Sequence, residues 1–378
     1  MQHILTCMDY DKRIRPHFNE GRPTVVDVDI SLNDMSPIND ITMDFSVDFF
    51  LRQRWEEPRL AYNTSSNTNM ITLSYEQVHF FWVPDSYLTK EKMAFLHTVS
   101  VPNMLLRISP QGAVLFSQRI AATVKCKLKY SKYPMDSQTC RIQLESFAHT
   151  RDEIVLRWFG ESVEYSTELS DGIPNFDITK VSAGNCTSIY STGSYSCLYV
   201  DIYLKRNLLS YMLHMYIPTT LVVLMSFVSC WLDPTAVPAR TSLSIASLLV
   251  ITMQAITYQE RTPMVSYIRA LDVWLLMCII FVVASALEFA TVNTMLERDK
   301  RKLAKRQGRE ARRNRHTSKK TNQENVELDD TSDTDVSVPK RTRTPGKRAR
   351  QIDIVARFVT ILGFLAFIIL YWMSYVDS

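Results

Sequence analysis

Glycine and proline are scarce in this chain of 378 residues, at 9 and 15 residues respectively. This composition excludes collagen-like proteins and the disordered class rich in proline and glycine. The net charge of +4 and the mean hydropathy of −0.08 are both close to zero. On these averages the chain would pass for a soluble protein of two or three domains. The averages conceal a sorting of apolar and charged residues into separate blocks.

Four long segments contain no Asp, Glu, Lys or Arg: 207–232, 241–259, 273–287 and 358–376. A helix needs about 20 mainly apolar residues to cross the hydrocarbon core of a bilayer. Buried helices of a soluble core are the alternative, but four such segments rarely occur together outside membranes. We therefore predict four membrane-spanning helices.

The charge distribution orients these helices. Segment 297–350 carries 18 Lys and Arg against 9 Asp and Glu, a net charge of +9, which leaves −5 for the rest of the chain. Basic loops favour the cytoplasm, so both termini are predicted to be extracellular. Two glycosylation sequons, at Asn63 and Asn185, precede the first span and agree with this topology. Asp9 and Asp11 interrupt any apolar stretch at the start, so we expect that a secretory signal was removed.

The segment before the first span alternates apolar and polar residues with the period of a β-strand. The alternation is clear in 26–32, 43–52 and 199–204. Many short strands of this kind predict an extracellular, immunoglobulin-like β-sandwich over residues 1–206. The last strand passes through Lys205 and Arg206 directly into the first span. Movement of the β-domain should therefore reach the membrane helices.

The remaining chain divides into three parts. Residues 207–296 are assigned to the first three membrane helices, with Pro218 predicted to kink the first of them. Residues 297–350 form a cytoplasmic loop in which two basic runs flank an acidic patch, and such blocks favour disorder. The first basic run, 298–320, alternatively continues the third span as a helix. Residues 351–378 are the fourth membrane helix and a short extracellular tail.

Two cysteine pairs precede the first span. Cys126 and Cys140 enclose 13 residues, and Cys186 and Cys197 enclose a shorter loop rich in Ser, Thr, Gly and Tyr. Neither pair has the spacing of a structural zinc site, so we predict disulfides and no metal site. Cys7 has no evident partner. The chain contains no nucleotide-binding loop and no cluster of catalytic side chains, so we predict neither an enzyme nor a cofactor.

Several motifs together resemble one family. These are a 13-residue cysteine loop containing Tyr133, Pro134, Met135 and Asp136, the segments Trp82–Asp85, Leu144–Phe147 and Thr192–Cys197, and Pro238-Ala239-Arg240 before an uncharged span. The chain resembles the Cys-loop receptors, which are pentameric ligand-gated ion channels, and within them the anion-selective glycine, GABA and glutamate-gated branch. The resemblance implies a homo- or heteropentamer in the plasma membrane, at a synapse, with a small-molecule agonist, chloride and membrane lipid as partners and no nucleic acid.

The second span carries one stripe at helical spacing, made of small or apolar residues that end in an acid. Its members are Ser242, Ala246, Leu249, Met253, Ile256 and Glu260. A packing face against another helix is the alternative, and the resemblance instead implies a pore lining over about residues 239–259. In a symmetric ring Leu249 would form an apolar constriction that closes by dewetting, and Pro238 and Ser242 would form the narrow cytoplasmic end.

The start of this span predicts anion selectivity. No acidic residue lies between Asp233 and Glu260, and helix N-termini present a positive dipole end. The resemblance assigns selectivity to Pro238, Ala239 and Arg240, because cation-selective relatives place an acid where Ala239 stands.

The resemblance also implies an agonist site between adjacent subunits. One face would supply Tyr87, Ser146, Phe147, Thr192 and Tyr195, and the neighbouring subunit would supply Phe50, Arg52 and Ser117. An aromatic cage would hold an ammonium group, and Arg52 would hold a carboxylate. These two receptors together predict an amino-acid-like agonist. For Arg52 alone, a solvated strand residue near Asp48 is the alternative.

Three positions depart from the family pattern. Asn33 stands where glutamate-gated relatives have an arginine, His149 stands where amino-acid-gated relatives have an aromatic residue, and Met264 replaces a basic residue of glycine-gated members. Gating by protons, zinc or a biogenic amine therefore remains an alternative, as does a non-conducting partner subunit.

The resemblance places the coupling between agonist binding and the pore at the domain boundary. The residues implied are Tyr133, Pro134, Asp136, Arg206, Ser266 and Tyr267.

Overall fold

The computed structural model describes residues 10–63, 70–165, 169, 173–233, 236–324 and 347–376. Cys7, the sequon residues Thr64 and Ser65, and the acidic patch of the cytoplasmic segment after Glu324 lie outside these ranges. The chain divides into two compact units. The first comprises Met1–Leu208 with Arg261–Tyr267, and the second comprises Leu209–Glu260 with Ile268–Ser378.

The first unit contains two β-sheets, which confirms the predicted sandwich. One sheet has seven strands in the order β3-β6-β7-β2-β1-β9, with β5 paired to β7, and the other has the order β10-β11-β8-β4. The strands are β1 (Thr24–Met35), β2 (Asp44–Glu56), β3 (Ile71–Leu73), β4 (Ser86–Leu88), β5 (Glu91–Leu96), β6 (Met104–Ile108), β7 (Ala113–Lys125), β8 (Ser137–Ser146), β9 (Ile154–Tyr165), β10 (Phe176–Tyr190) and β11 (Gly193–Arg206).

The alternating sequence of the strands positions the core. On β2 the side chains of Phe45, Val47, Phe49 and Leu51 are buried, and the intervening residues point to the outer face of the sheet. Met43, which the alternation assigns to this strand, instead lies in the preceding turn with φ of +52°. The turn is closed by the backbone bond from Met43 to the carbonyl of Asn39 at 2.9 Å.

Both predicted disulfides are present in the first unit. Cys126, just after β7, is bonded to Cys140 on β8, and Cys186 on β10 is bonded to Cys197 on β11. Cys186 and Cys197 are direct partners in the β10–β11 register. The second disulfide therefore fixes the base of the hairpin whose tip carries Thr192.

The second unit contains four long helices, which confirms the four predicted spans by length and composition. They are α1 (Leu209–Trp231), α2 (Val237–Glu260), α3 (Ala270–Glu324) and α4 (Lys347–Val376). In α1 a π-helical turn, Met212–Tyr216, directly precedes Pro218. α3 extends to Glu324, so the first basic run is helical in the structure, which was the alternative to disorder for this part of the segment.

Aromatic side chains join three of these helices. The ring of Trp274 on α3 lies 5.0 Å from that of Tyr216 on α1 and 5.1 Å from that of Tyr371 on α4. The hydroxyls of Tyr216 and Tyr371 are 2.9 Å apart, and the indole nitrogen of Trp274 donates to Thr219 at 2.9 Å. These buried polar groups are thus satisfied within the bundle.

Candidate functional site

Aromatic side chains gather at one end of the four-stranded sheet. The rings of Tyr87 on β4 and Phe147 after β8 meet edge to face at 5.5 Å. The rings of Tyr190 and Tyr195, on the β10–β11 hairpin, meet at 5.7 Å. The hydroxyl of Tyr195 donates to Thr192 at 2.9 Å. Phe147 is 72% exposed, so this aromatic group opens to the surface. Tyr190 is an addition to the residues that the sequence predicts.

Asp85 fixes the loop that carries Phe147. Its carboxylate accepts hydrogen bonds from the Ser146 hydroxyl at 2.8 Å and from the Ala148 amide at 2.5 Å. Its backbone carbonyl also accepts a bond from the Phe147 amide at 3.3 Å. Ser146, predicted to contact the agonist, is itself buried, and its hydroxyl is engaged by Asp85. Ser146 and Asp85 together fix the start of the loop on which Phe147 lies.

Glu145 is a buried carboxylate beside this aromatic group, and sequence reasoning did not identify it. In the sheet it is the register partner of Tyr87 on one side and of Cys197 on the other. The hydroxyl of Ser188 donates to its Oε2 at 2.8 Å. The pKa of Tyr87 is raised, first by burial and then by the negative charge of Glu145. A carboxylate beneath aromatic rings favours a cation above them.

A second group of predicted residues lies on the outer face of the seven-stranded sheet. Arg52 on β2 and Ser117 on β7 are direct register partners, and Phe50 is two residues from Arg52 on the same face. The Arg119 guanidinium lies 5.9 Å from the Phe50 ring centre and pairs with Asp48. The structure thus brings Phe50, Arg52 and Ser117 together, as the sequence predicts.

Arg52 has two acidic partners in its own chain. Its Nη1 lies 3.1 Å from Asp29 Oδ1 on β1 and 3.1 Å from Glu164 Oε2 on β9. Asp48, near which the alternative interpretation places Arg52, pairs with Arg119. Burial acts to lower the pKa of Arg52, but the hydrogen bonds of Glu164 and Asp29 raise it above its usual value. The guanidinium on β2 is therefore held by acids of two strands, the neighbouring β1 and β9 beyond it.

The two groups lie on different sheets of the sandwich. Phe50, Arg52 and Ser117 belong to the seven-stranded sheet, whereas Tyr87, Phe147 and Tyr195 belong to the other sheet or the loop that follows its strand β8. We call the two groups the candidate half-sites, namely the cage face (Tyr87, Glu145, Phe147, Tyr190, Tyr195) and the arginine face (Phe50, Arg52, Ser117).

The structure also locates the three departures from the family pattern. The Asn33 side chain helps to lower the pKa of Asp48, so it lies near the Arg119–Asp48 pair. His149, on the loop after Phe147, has its Nδ1 3.5 Å from Oε2 of Glu153, which is four residues further along the chain. Met264 is fully exposed.

A buried ionic cluster surrounds Arg206 at the end of β11. Its side chain is inaccessible to solvent and bonds to Asp40 at 2.9 Å and to Asp136 at 2.8 Å. Its guanidinium also lies over the rings of Tyr133 and Phe176, at 4.7 and 4.4 Å. Burial acts to lower the pKa of Arg206, but the bonds to Asp40 and Asp136 raise it well above its usual value. The last strand is thereby anchored to the cysteine loop.

The segment between α2 and α3 contacts the same loop. The hydroxyl of Tyr267 accepts a hydrogen bond from the backbone amide of Tyr130 at 2.9 Å. Tyr130 in turn donates its own hydroxyl to the carbonyl of Asp40 at 2.8 Å. Ser266 is exposed. Of the predicted coupling residues, Tyr133, Asp136 and Arg206 thus form one cluster, to which Tyr267 connects through Tyr130.

The predicted stripe of α2 lies on its exposed face. Leu249 and Met253 are 60% and 63% exposed, and Pro238, Ala239, Ser242, Ala246, Ile256 and Glu260 are exposed as well. The buried residues of this helix are Arg240, Ser244, Ser247 and Ile251, which lie on the opposite face. The stripe therefore lies on the side of α2 opposite its buried face.

Arg240 does not share this exposed face. Its side chain is fully buried, and its Nη1 lies 3.2 Å from Asp353 Oδ1 on α4. Pro238 and Ala239 are exposed at the start of the helix, in the position predicted for selectivity. The three residues that sequence reasoning grouped together thus have different surroundings, because successive helical residues are about 100° apart.

The sequon at Asn185 is described in full, and that at Asn63 only in its first residue. Asn185 on β10 and Asn63, before the gap at residue 64, are exposed.

Sequence comparison agrees with this arrangement. The sequence model of the neurotransmitter-gated ion-channel ligand binding domain matches residues 1–208, and that of the neurotransmitter-gated ion-channel transmembrane region matches residues 215–345. The first match alone covers more than half of the chain, and its boundary coincides with the end of the first unit at Leu208. The β-sandwich is accordingly an extracellular domain and α1 to α4 are its transmembrane helices. The chain belongs to the family of neurotransmitter-gated ion channels, the Cys-loop receptors.

Proposed function

We propose that this chain is a subunit of an agonist-gated chloride channel. The observation that carries the proposal is the exposed face of α2, which begins with Pro238 and Ala239 and has no acid before Glu260. Members of this family assemble as pentamers. In a pentamer, five such faces surround the pore, and five helix N-termini present positive dipole ends to its cytoplasmic mouth. Both features favour an anion.

The agonist is a small molecule with a protonated amine. The cage face combines four aromatic rings with the buried carboxylate of Glu145, and both attract an ammonium group. The arginine face of the adjacent subunit offers Arg52 and Ser117 to the other end of the molecule. An amino acid fits this pair of half-sites, because a guanidinium binds a carboxylate in a bidentate geometry.

A biogenic amine without a carboxylate is the second candidate, and one observation favours it. Arg52 Nη1 already contacts two carboxylates, Asp29 and Glu164, at 3.1 Å each. An agonist carboxylate would have to share the Arg52 guanidinium with them, whereas an amine needs only the cage face.

Agonist binding reaches the pore through the Arg206 cluster. Closure of the β10–β11 hairpin on the agonist moves β11, which ends at Arg206 and continues into α1. The cysteine loop connects Arg206 with Tyr267, which lies in the segment that joins α2 to α3. The agonist shifts the pore by its difference in affinity between the open and closed states.

Two experiments test the proposal. The chain is expressed alone at the plasma membrane and exposed to glycine, GABA, glutamate, histamine, zinc and acid pulses. Current from one of these identifies the agonist and disposes of the alternative that the chain is a non-conducting partner subunit. Silence with every compound, despite surface expression, favours that alternative.

The second experiment measures the reversal potential. It should follow the external chloride concentration, and a reversal potential that follows sodium would refute chloride selectivity. Substitution of Ala239→Glu together with deletion of Pro238 should invert the selectivity, since it places a ring of carboxylates at the narrow end.

A further inference from the structure

An ion pair joins the start of the pore helix to the fourth helix. Arg240, in the first turn of α2, donates from Nη1 and Nη2 to Asp353 Oδ1 on α4, at 3.2 Å each. Nη2 also donates to the backbone carbonyls of Cys230 and Leu232 at the end of α1. Arg240 is 0% and Asp353 is 1% exposed. The pair is therefore sealed inside the helix bundle.

Asp353 is the centre of a larger cluster that includes all four helices. Arg357, one turn further along α4, donates to Asp353 Oδ2 at 2.6 Å and to the carbonyl of Cys230 at 2.8 Å. Glu288 on α3 accepts a hydrogen bond from the thiol of Cys230 at 3.5 Å. The cluster therefore contains two arginines and two acids. The end of α1 and the start of α2 are thus both tied to α4.

The first turns of α2 have one exposed side and one buried side. Pro238, Ala239 and Ser242 are exposed, whereas Arg240 and Ser244 are buried. If α2 rotated by one residue about its axis, about 100°, Arg240 would leave its partner and Ala239 would move toward the bundle. The Arg240–Asp353 pair therefore fixes which side chains of the first turn face the pore.

We propose that Asp353 is a positioning residue for the selectivity end of the pore, and that Arg240 acts through this ion pair rather than as a charge in the ion path. The inference rests on the proposed function, because it concerns the pore that α2 forms. It assigns selectivity to Pro238, Ala239 and the helix N-terminus. It also explains why the single charge within this segment does not lie among the exposed residues of α2.

The test uses a background that conducts without agonist. Substitution Leu249→Thr places a hydroxyl at the apolar constriction and favours a wetted, open pore. In this background Asp353→Asn leaves Arg240 buried without its counter-charge. We expect at least a fivefold drop in surface expression, and at least a twofold change in single-channel conductance for the channels that reach the surface. Asp353→Glu keeps the charge and should restore both.

The double variant Arg240→Gln with Asp353→Asn separates the two roles of Arg240. It removes both buried charges, so expression and conductance should return toward those of the background. The chloride-to-sodium permeability ratio should stay within twofold of the background. A fivefold or larger drop in that ratio would show that the Arg240 charge acts on ions directly, and would overturn the proposal. The half-exposed Asp299→Asn on α3 is the matched control and should change neither measurement.

Other outcomes separate this inference from the proposed function. A sodium-selective current in the Leu249→Thr background would refute the proposal of a chloride channel. The positioning role of Asp353 would still stand if the double variant kept the same sodium selectivity. If this background carries no current, the ion pair is tested by the apparent melting temperatures of the purified full chain, measured for the two single variants and the double variant. Strong non-additivity between Arg240→Gln and Asp353→Asn supports the ion pair as the anchor, and additive effects refute it. Asp353→Asn channels indistinguishable from the background would refute the positioning role outright.

Discussion

Asp29 divides its carboxylate between two arginines of the neighbouring strand, with Oδ1 3.1 Å from Arg52 and Oδ2 bonded to Arg54. Asp29 is largely buried, and it lies directly opposite Arg52 in the β1–β2 register. Glu164 contacts the same nitrogen of Arg52 from β9 at the same distance, but its side chain is 60% exposed. Two acids at equal distance from one guanidinium thus differ in burial.

This difference predicts unequal effects on the agonist response. Asp29→Asn removes a partly buried, charge-assisted hydrogen bond that orients Arg52. The EC50 should therefore rise about tenfold, which corresponds to a loss of about 1.4 kcal/mol in agonist-binding free energy. Glu164→Gln, the matched control, should change it by less than about twofold, since exposed ion pairs contribute little. Concentration–response curves measure both. Equal shifts in the two variants would contradict this assignment.

Glu145 provides a second prediction, at the cage face. Glu145→Gln removes the buried negative charge below the aromatic rings and should raise the EC50 roughly 10- to 100-fold, because attraction to the ammonium group is lost. The maximal current should be retained at saturating agonist. Glu153→Gln, on the loop after Phe147 and paired with His149, is the control. An unchanged EC50 for Glu145→Gln would exclude this carboxylate from the site.

Arg206 allows a prediction about stability. Arg206→Gln leaves Asp40 and Asp136 without their cation and should lower the free energy of unfolding by about 3–5 kcal/mol. Arg141 is a suitable control, because it also pairs with an aspartate, Asp201, at 2.7 Å, but its side chain is 41% exposed. Arg141→Gln should cost about 1 kcal/mol or less. Thermal unfolding of the purified protein compares the two, and similar losses would mean that burial of Arg206 carries no added stability.

Asp48 predicts a pH dependence of stability. Burial acts to raise its pKa, but the hydrogen bonds and charge of Arg119 lower it below the usual value. A carboxyl whose folded pKa lies below its unfolded value of about 3.9 stabilises the fold above that pH. This contribution is lost as the pH falls through the folded pKa.

Asp48→Asn should therefore reduce the fall in melting temperature between pH 5 and pH 3. The exposed Asp152→Asn serves as the control. A pH profile of Asp48→Asn identical to that of the unsubstituted protein would mean that the Asp48–Arg119 pair does not contribute to acid sensitivity.

The sequence predicts those parts of the structure that depend on local pattern. Alternation identified β1, β2 and β11, and uncharged length identified the four helices. The same helical spacing that predicts the stripe from Ser242 to Glu260 also places Arg240 on the other face of α2. Its burial is nevertheless not evident from the sequence, because the partner Asp353 is 113 residues away.

Long-range partners account for the other differences. Asp29 reaches Arg52 from the neighbouring antiparallel strand β1, and Glu164 reaches it from β9, whose parallel pairing with β1 no local signal indicates. Glu145 belongs to the segment Leu144–Phe147 that carries the family resemblance, but the local sequence does not indicate that its side chain is buried. The burial of Glu145 and its bond to Ser188 become evident once β8 pairs with β11.

The placement of the two half-sites on separate sheets has a consequence for mixed assemblies. A chain with an inactivating substitution at Arg52 keeps a functional cage face, and a chain with an inactivating substitution at Glu145 keeps a functional arginine face. When both variant chains are made in one cell, some subunit boundaries would join the functional cage face of one variant to the functional arginine face of the other and form an intact agonist site. Two alleles that are each silent alone would thus complement one another. A single chain that carries both substitutions would instead inactivate the agonist sites at both of its subunit boundaries. It would therefore reduce the response of assemblies with unsubstituted chains in proportion to its share of the subunits.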